Sequence, residues 1–525
     1  MTTYITPNDP AFLGKSDTEK IRAAVALAEK TGIGEVVIPR INEEKKSKIW
    51  TIEDTIALPS DMTVILDGCC LRMADGVIAT MFMNSAARTP AGNTRRGKQE
   101  RIRIIGRCGA VLDGGKPNAL NEQTSRTGDL PHVSRNLLIY FHNVKDFEVS
   151  GFTVENQRWW AMAFMYSRAG RIANLRFRLT RHALDTRGVW RNQDGIDLRI
   201  GCRNIIIEDI EGETGDDFIA LTALMGKNFE QPEFIEGLNP DIHDIIIRDI
   251  RGMTNMCALV RLLCHYGLKI YNVSMTNLFE TARPGLESRS QMTLRIGDDA
   301  SAYYGTPDKH VKPGDMFNIT IDNVFSHSHC ALNLCGGVRS MTVRNLHVME
   351  DGGYACFFGY AGADNVFLFH KSRLKEYNAI RFAPFRSDYP AVLEDITVEN
   401  VFCDSDGTLA PAAVGASNVI LKNVAVRGLR TKDPLPAYLA FADVEGHPRL
   451  EGDAMKLYGK YKGKNAARVK REHLFGETDF ACSLCRGPIT VKDTVCPRCG
   501  ATLSGEKNDP VWIDEKADYD EMTWY

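Results

Sequence analysis

Three carboxylates stand out by type and spacing. Asp194 lies in Asn192-Gln-Asp-Gly-Ile-Asp-Leu198, and Asp216 and Asp217 lie in Gly215-Asp-Asp-Phe-Ile-Ala-Leu221. Asp194-Gly-Ile-Asp-Leu and Asp217-Phe-Ile-Ala-Leu align with a step of 23 residues, and between them runs the β-rich stretch Cys202-Arg-Asn-Ile-Ile-Ile-Glu-Asp-Ile. A repeat of about 20–50 residues with one strand-turn unit each is the mark of a solenoid. If each repeat is one coil, Asp194 and Asp217 occupy neighbouring rungs roughly 5 Å apart. Crowded like charges cost stability unless a proton, substrate or metal uses them. The cluster therefore reads as an active site. The competing reading is that Asp and Asn only cap the turns of such a coil; Asp197 in particular suits a turn or supporting position.

The elements that would position these groups are legible as short strands. Val144-Lys-Asp-Phe-Glu-Val, Arg203-Asn-Ile-Ile-Ile-Glu-Asp-Ile, His243-Asp-Ile-Ile-Ile-Arg-Asp-Ile, Phe317-Asn-Ile-Thr-Ile-Asp-Asn-Val, Glu394-Asp-Ile-Thr-Val-Glu-Asn-Val and Ser417-Asn-Val-Ile-Leu-Lys-Asn-Val repeat one phrase. Alternating β-branched and polar residues give a half-buried strand, and the flanking Asn and Asp tolerate turn geometry. No long helical pattern separates the phrases. The 23-residue step favours a parallel β-helix over a propeller, whose blades need about 40 residues or more. Wider gaps are expected to hold insertions near 226–241 and 298–314. Upstream, Ser16-Asp-Thr-Glu19 is a capping box opening a helix with Ile21, Ala24, Val25 and Ala28 on one face. Such a helix suits the open end of a solenoid, which otherwise exposes unpaired strand edges. The strands Glu35–Pro39, Thr63–Gly68 and Arg101–Gly106 follow.

The fold class expected is all-β, a parallel β-helix over residues 1–430 with an N-terminal capping helix. A basic linker is expected at 431–478, a zinc ribbon at 479–504 and an acidic tail at 505–525. Cys482-Ser-Leu-Cys485 and Cys496-Pro-Arg-Cys499 form two CxxC knuckles, and four thiolates at this spacing can close a tetrahedral structural zinc site. Zinc is the one cofactor expected, with none required for catalysis. The net charge of −3 gives no nucleic-acid signal, and no apolar stretch is long enough to span a membrane. Fourteen cysteines and an N-terminus without a secretory pattern lead us to expect a cytoplasmic protein. Exposed β-helix ends leave room for a homo-oligomer.

The carboxylate motifs carry a resemblance. Asn192-Gln-Asp-Gly-Ile-Asp followed by Gly215-Asp-Asp resembles the Asn-Thr-Asp and Gly-Asp-Asp motifs of family 28 glycoside hydrolases, the polygalacturonase group. Thr18-Glu-Lys-Ile-Arg-Ala-Ala-Val, Val36-Val-Ile-Pro and Glu155-Asn-Gln-Arg-Trp-Trp-Ala resemble that superfamily more loosely, and the likeness spans roughly residues 10–430. It implies a right-handed parallel β-helix and inverting hydrolysis of acidic, galacturonide- or rhamnogalacturonide-like oligosaccharides. Asp216 then corresponds to the general acid, and Asp194 with Asp217 to the pair that activates water. Two motifs depart. The family's Gly-His-Gly is replaced around Cys257-Ala-Leu-Val-Arg261-Leu-Leu, with His265 several residues late, and its Arg-Ile-Lys reads Arg295-Ile-Gly297. Arg295 still fits a substrate carboxylate, since a guanidinium grips one with two parallel hydrogen bonds. Arg261, His265, Asp197, His182, Arg191 and Trp160 complete the expected substrate contacts, Trp160 by stacking on a sugar or by simple burial. The departures keep two other readings open: a lyase using clustered acids to hold Ca²⁺, and a non-catalytic carbohydrate-binding protein.

Overall fold

The computed structural model describes residues 4–128, 130–179, 192–224, 234–255, 257–281, 290–299, 310–349, 352–360, 389–404, 413–431, 437–446, 449–452, 455–457, 480–481 and 488–489. The chain divides into two compact units, Met1–Asn255 and Met256–Tyr525.

The first unit opens with the helix Asp17–Thr31. The Ser16 hydroxyl accepts from Glu19 N at 3.3 Å, and the Glu19 carboxylate accepts from Ser16 N at 2.9 Å, so the capping box is complete. Gly32 ends the helix at φ 70°, a left-handed position that glycine occupies without strain. Ile21, Ala24, Val25 and Ala28 are buried, and the helix packs on the strands Glu35–Pro39 and Ile49–Ile52. The helix thus covers the first coil, as its place in the sequence suggests.

Beyond it the chain winds through three columns of parallel strands. One column runs Glu35–Pro39, Met62–Asp67, Gln99–Arg107, Val144–Ser150, Arg168–Arg178, Arg203–Thr214 and Ile242–Thr254. A second is short: Ile49–Ile52, Cys70–Met73, Val111–Asp113 and Thr153–Glu155. The third runs Ile56–Leu58, Phe82–Asn84, Ile139–His142, Met162–Met165, Ile196–Arg199 and Ile219–Ala223. From Arg168 onward the first two columns fuse, because Arg168–Arg178 also pairs with Thr153–Glu155. Parallel strands in one sheet need such crossovers, and these are overwhelmingly right-handed. The fold is a right-handed parallel β-helix.

The repeated phrase explains the bends. In Arg203–Thr214, Asn204 and Asp209 have φ of 53°, and in Ile242–Thr254, Asp244 and Asp249 have φ of 57° and 58°. Asn and Asp enter this left-handed region more easily than other non-glycine residues. Two such corners five residues apart fold each long strand, while Ile205, Ile207 and Ile210 point inward beneath Ile245, Ile247 and Ile250, all nearly inaccessible.

The second unit repeats the scheme. Ile270–Glu280, Met316–Ser326, Gly337–Val348, Ala391–Cys403 and Val414–Thr431 stack in one column. Ala258–Cys264, Met292–Asp299, Cys330–Leu334 and Tyr354–Gly359 form another that joins the start of Val414–Thr431. Here the corner asparagines also hydrogen-bond between coils: Asn318 Nδ2 donates to Asn272 Oδ1 at 2.7 Å and Asn323 Nδ2 to Asn277 Oδ1 at 2.8 Å. Tyr271 and Phe317 stack at 5.0 Å on the outer face.

Several details go beyond the sequence reading. Arg168–Arg178, Ile270–Glu280 and Gly337–Val348 are full rungs whose phrases are degenerate; in Gly337–Val348 a serine, Ser340, takes the first corner at φ 54°. Parallel strands also continue past residue 430, at Ala437–Glu445, Arg449–Gly452 and Met455–Leu457, inside the stretch expected as linker. Cys482, Cys485, Cys496 and Cys499 lie outside the described residues, as does the acidic tail. Of the expected ribbon only the antiparallel pair Phe480–Ala481 and Pro488–Ile489 is described. No described helix is long and apolar enough to cross a membrane.

The corner asparagines should carry measurable stability. Asn323, at φ 61°, combines a left-handed backbone with the bond to Asn277. Asn323→Val should cost about 1–3 kcal/mol through backbone strain. Asn323→Gly, which relieves the strain and loses only the bond, should cost less. Urea titration of both variants checks that order.

Candidate active site

The three carboxylates all fall in the first unit, where the third column enters its strands. Ile196 pairs with Ile219 and Met162 with Ile196. The ladder extends upstream of both strands: Ala161 N donates to Asp194 O at 2.9 Å, and Gly195 N donates to Asp217 O at 2.9 Å. Trp160, Asp194 and Asp217 therefore hold equivalent places on three successive coils. The 23-residue step is the coil length at this point, so Asp194 and Asp217 are stacked as expected.

Asp217 and Asp194 are buried, at 1% and 3% exposure, whereas Asp216 is half-buried. Asp216 Oδ1 accepts from Asp217 N at 3.0 Å, and carboxylate oxygens of the two residues lie within 4.8 Å of each other. The Asp216 carbonyl is held by the hydroxyls of Thr214, at 2.6 Å, and Thr254. Beneath the trio, Gln157 and Gln193 exchange side-chain-to-backbone hydrogen bonds, with Gln157 Nε2 donating to Gln193 O at 3.2 Å and Gln193 Nε2 donating to Gln157 O. Gly215 N and Asp216 N both reach Gln193 O, at 3.1 and 3.3 Å. The carboxylates thus sit on a backbone fixed by amide pairing rather than on a free loop.

Gly195 is required by space. A Cβ there would come 2.5 Å from Phe218 O and 3.2 Å from Thr214 Cγ2. Phe218 is fully buried and packs edge-on against Phe177 at 5.4 Å, so its backbone has no room to retreat. The glycine between Asp194 and Ile196 lets two coils approach where the acids must meet.

Other expected residues have distinct fates. Asp197 is fully buried, level with Ala163 and Ala220. Trp160 is 9% exposed and stacks on Trp159 at 4.2 Å, with Arg199 at 5.3 Å over its ring. His182 and Arg191 lie outside the described residues. In the second unit Arg261 and Arg295 are level on neighbouring strands, and Arg295 Nη1 reaches Cys257 Sγ at 3.7 Å. His265 lies four residues beyond Arg261, past the end of Ala258–Cys264. At about 3.3 Å per residue, that puts it roughly 13 Å along the strand from the Arg261 level.

Sequence reading missed Arg199 and His142. Arg199 follows Asp197 by two residues on the same strand face, is 2% exposed, and donates from Nη1 to Thr222 Oγ1 at 3.0 Å. Its signal was the alternation Asp197-Leu-Arg199. His142 ends the strand Ile139–His142, level with Met165, and packs between the rings of Tyr140 and Tyr166. Burial pushes its imidazole down to about 3.

Residues 50–238 match the family described as glycosyl hydrolases family 28. No curated protein matches the chain by sequence. Among solved structures the chain is similar to the exopolygalacturonase of Thermotoga maritima, at 12% identity over 85% of this chain and 86% of that one, with a TM-score of 0.38. It is similar also to the endo-xylogalacturonan hydrolase of Aspergillus tubingensis, at 12% identity over 88% and 97% of the two chains, TM-score 0.41. A third is the surface adhesin PfbA of Streptococcus pneumoniae, at 12% identity over 87% and 98%, TM-score 0.45.

Two outcomes test this construction. Gly195→Ala should lower kcat by on the order of 10²-fold, the scale for misplacing catalytic groups by about 1 Å, and thermal denaturation of the same variant will show whether the fold survives. For His142 the unfolded chain takes up a proton near the ordinary value of 6.5, and the folded chain only near 3. The unfolded state then binds more protons across that window, so stability falls as pH drops from 6.5 toward 3. His142→Gln should flatten the slope of melting temperature against pH there.

A β-helix hosts many activities, and function has to be argued from the site it carries. Here the family match contains Asp194, Asp216 and Asp217 on two stacked coils.

Proposed function

We propose that this enzyme hydrolyses acidic, plant-derived oligosaccharides of the galacturonide or rhamnogalacturonide kind, with inversion at the anomeric carbon. The observation that carries the reading is the stacking of Asp194 on Asp217 with the half-buried Asp216 beside them, inside the matched segment. Inverting hydrolysis needs one protonated carboxyl on the leaving oxygen and one ionised carboxylate activating water on the opposite face. Clustered acids push their proton affinities apart, which lets one hold a proton near neutrality. Asp216, the member open to solvent, is assigned as the acid that protonates the glycosidic oxygen. Asp194 and Asp217 orient and deprotonate the attacking water. The bond from the anomeric carbon to the leaving oxygen breaks as the bond to water forms; the Asp216 proton ends on the leaving oxygen and one proton of the water ends on the Asp194–Asp217 pair, and exchange with solvent restores the starting protonation.

In the second unit, Arg261 and Arg295, level on neighbouring strands, are assigned to a uronate carboxylate. This assignment supports an acidic substrate despite the lost lysine of Arg-Ile-Lys. From its fourteen cysteines the enzyme is assigned to a reducing compartment, the cytoplasm, where imported oligosaccharides rather than polymers would be the substrates. Zinc held by Cys482, Cys485, Cys496 and Cys499 is assigned a structural part only.

Product analysis on galacturonide and rhamnogalacturonide oligosaccharides tests the reading. Saturated reducing ends should appear with wild type, and Asp194→Asn, Asp216→Asn and Asp217→Asn should each lower turnover by on the order of 10³-fold or more, at nearly unchanged side-chain volume. Unsaturated, ultraviolet-absorbing ends that vanish on chelation would identify a lyase instead. Sugar binding without any product would identify a binding protein.

A further inference from the structure

The first unit contains a polar cavity that the carboxylates do not touch. It encloses about 570 Å³ and is lined by Arg95, Arg96, Lys98, Arg168, Arg203 and the turn 237–239. It opens where Arg168–Arg178 and Arg203–Thr214 begin, beyond the far end of Ile196–Arg199 from Asp194. Five strand steps separate Asp194 from Arg199, roughly 16 Å. This is a separate place on the coil.

Its charge pattern differs from other places on the same sheet. At several positions on the outer face, opposite signs meet between coils. Arg103, Glu148 and Arg171 follow in register, with Arg171 Nη1 3.0 Å from Glu148 Oε1, and Glu208 faces Arg248. At the strand starts the order is Glu100, Lys145, Arg168, Arg203, His243. After Glu100, Lys145, Arg168 and Arg203 follow one another in register with no carboxylate between them, and His243 next in line pairs with Asp244 at 2.7 Å. Glu100 itself is taken by Lys98 at 2.8 Å and Arg101 at 2.7 Å. Burial and the neighbouring Arg203 hold the Arg168 guanidinium below its usual range. Stacked like charges of this kind are costly unless a counter-charge sits among them.

The cations are also held in place. Arg168 Nη1 donates to Asn143 Oδ1 at 3.3 Å and Tyr166 O at 3.4 Å, and Asn143 Nδ2 in turn donates to Thr94 O, anchoring the turn that carries Arg95 and Arg96. Arg203 Nη1 donates to Gly201 O at 3.4 Å, and Gly201 N donates to Pro240 O at 2.7 Å, fixing the opposite wall. Arg95 passes over Gly237, where even a Cβ would sit at ordinary contact distance, 3.7 Å from Arg95 Cδ. Guanidinium groups in fixed forks suit planar or tetrahedral oxyanions.

We propose that this cavity binds a small ligand carrying a multiply charged oxyanion group, a phosphate or sulfate ester or clustered uronate carboxylates, at a site distinct from the Asp194–Asp216–Asp217 centre. Isothermal titration of the full chain with inorganic pyrophosphate, sulfate and free galacturonate separates these sources, since none has a glycosidic bond to cleave. One equivalent of at least one probe should bind, with Kd rising tenfold or more in Arg168→Gln/Arg203→Gln and also between 50 and 500 mM salt, as screening of about a 10 Å Debye length predicts. Preference for pyrophosphate or sulfate identifies an ester ligand; preference for galacturonate identifies a uronide. Should the double variant lose its cooperative melting, Arg95→Gln/Arg96→Gln, confined to an exposed turn, replaces it and should weaken binding several-fold. No binding of any probe, or equal Kd in wild type and folded variants, overturns the proposal. Because no catalytic carboxylate is altered, that failure is independent of the hydrolase reading.

Discussion

The structure depends on one constraint: each coil must lie in register on the coil before it. Inside, isoleucine, valine and leucine columns remove apolar surface from water at every rung. At the corners, Asn and Asp accept left-handed backbone and so allow strands of eleven or more residues to fold around that interior. Outside, Arg–Glu pairs such as Arg171 with Glu208 at 2.7 Å repeat the register in charge. Exposed pairs contribute little stability each.

The candidate active site inherits its geometry from that registration. Asp194 and Asp217 come together because equivalent positions on adjacent coils must be neighbours. What is local to the site is the means of bringing the backbones close: a glycine at 195, the Gln157–Gln193 pairing, and threonine hydroxyls on the Asp216 carbonyl. The fold and the carboxylate cluster therefore draw on the same hydrogen-bond ladder.

Much of this was legible in the sequence, for a physical reason. The capping box of Ser16 and Glu19, the isoleucine alternation and the Asn/Asp corners are local signals, and each appears where expected. The carboxylate trio was legible because its spacing equals one coil. The rungs beginning at Arg168 and Gly337 were missed because Ala169 and Ser340 take corners usually held by Asn or Asp, a substitution permitted once neighbouring coils impose the conformation. Arg199, His142 and the cationic column of Lys145, Arg168 and Arg203 depend on which residues become level across coils tens of residues apart. Single positions carry no such information until the register is known.

The long connection at 224–241 shows how such a chain is free to change. It lengthens one coil, yet Arg203 still meets His243 and Thr214 still meets Thr254, with no slip between them. Length added at a corner is absorbed there, whereas one residue gained inside a strand would turn every later side chain to the opposite face. Evolutionary insertion and deletion are thereby confined to the corners. The interval between the two carboxylate motifs acts as a fixed ruler, against which distant relatives can be aligned after their loops have lost all similarity.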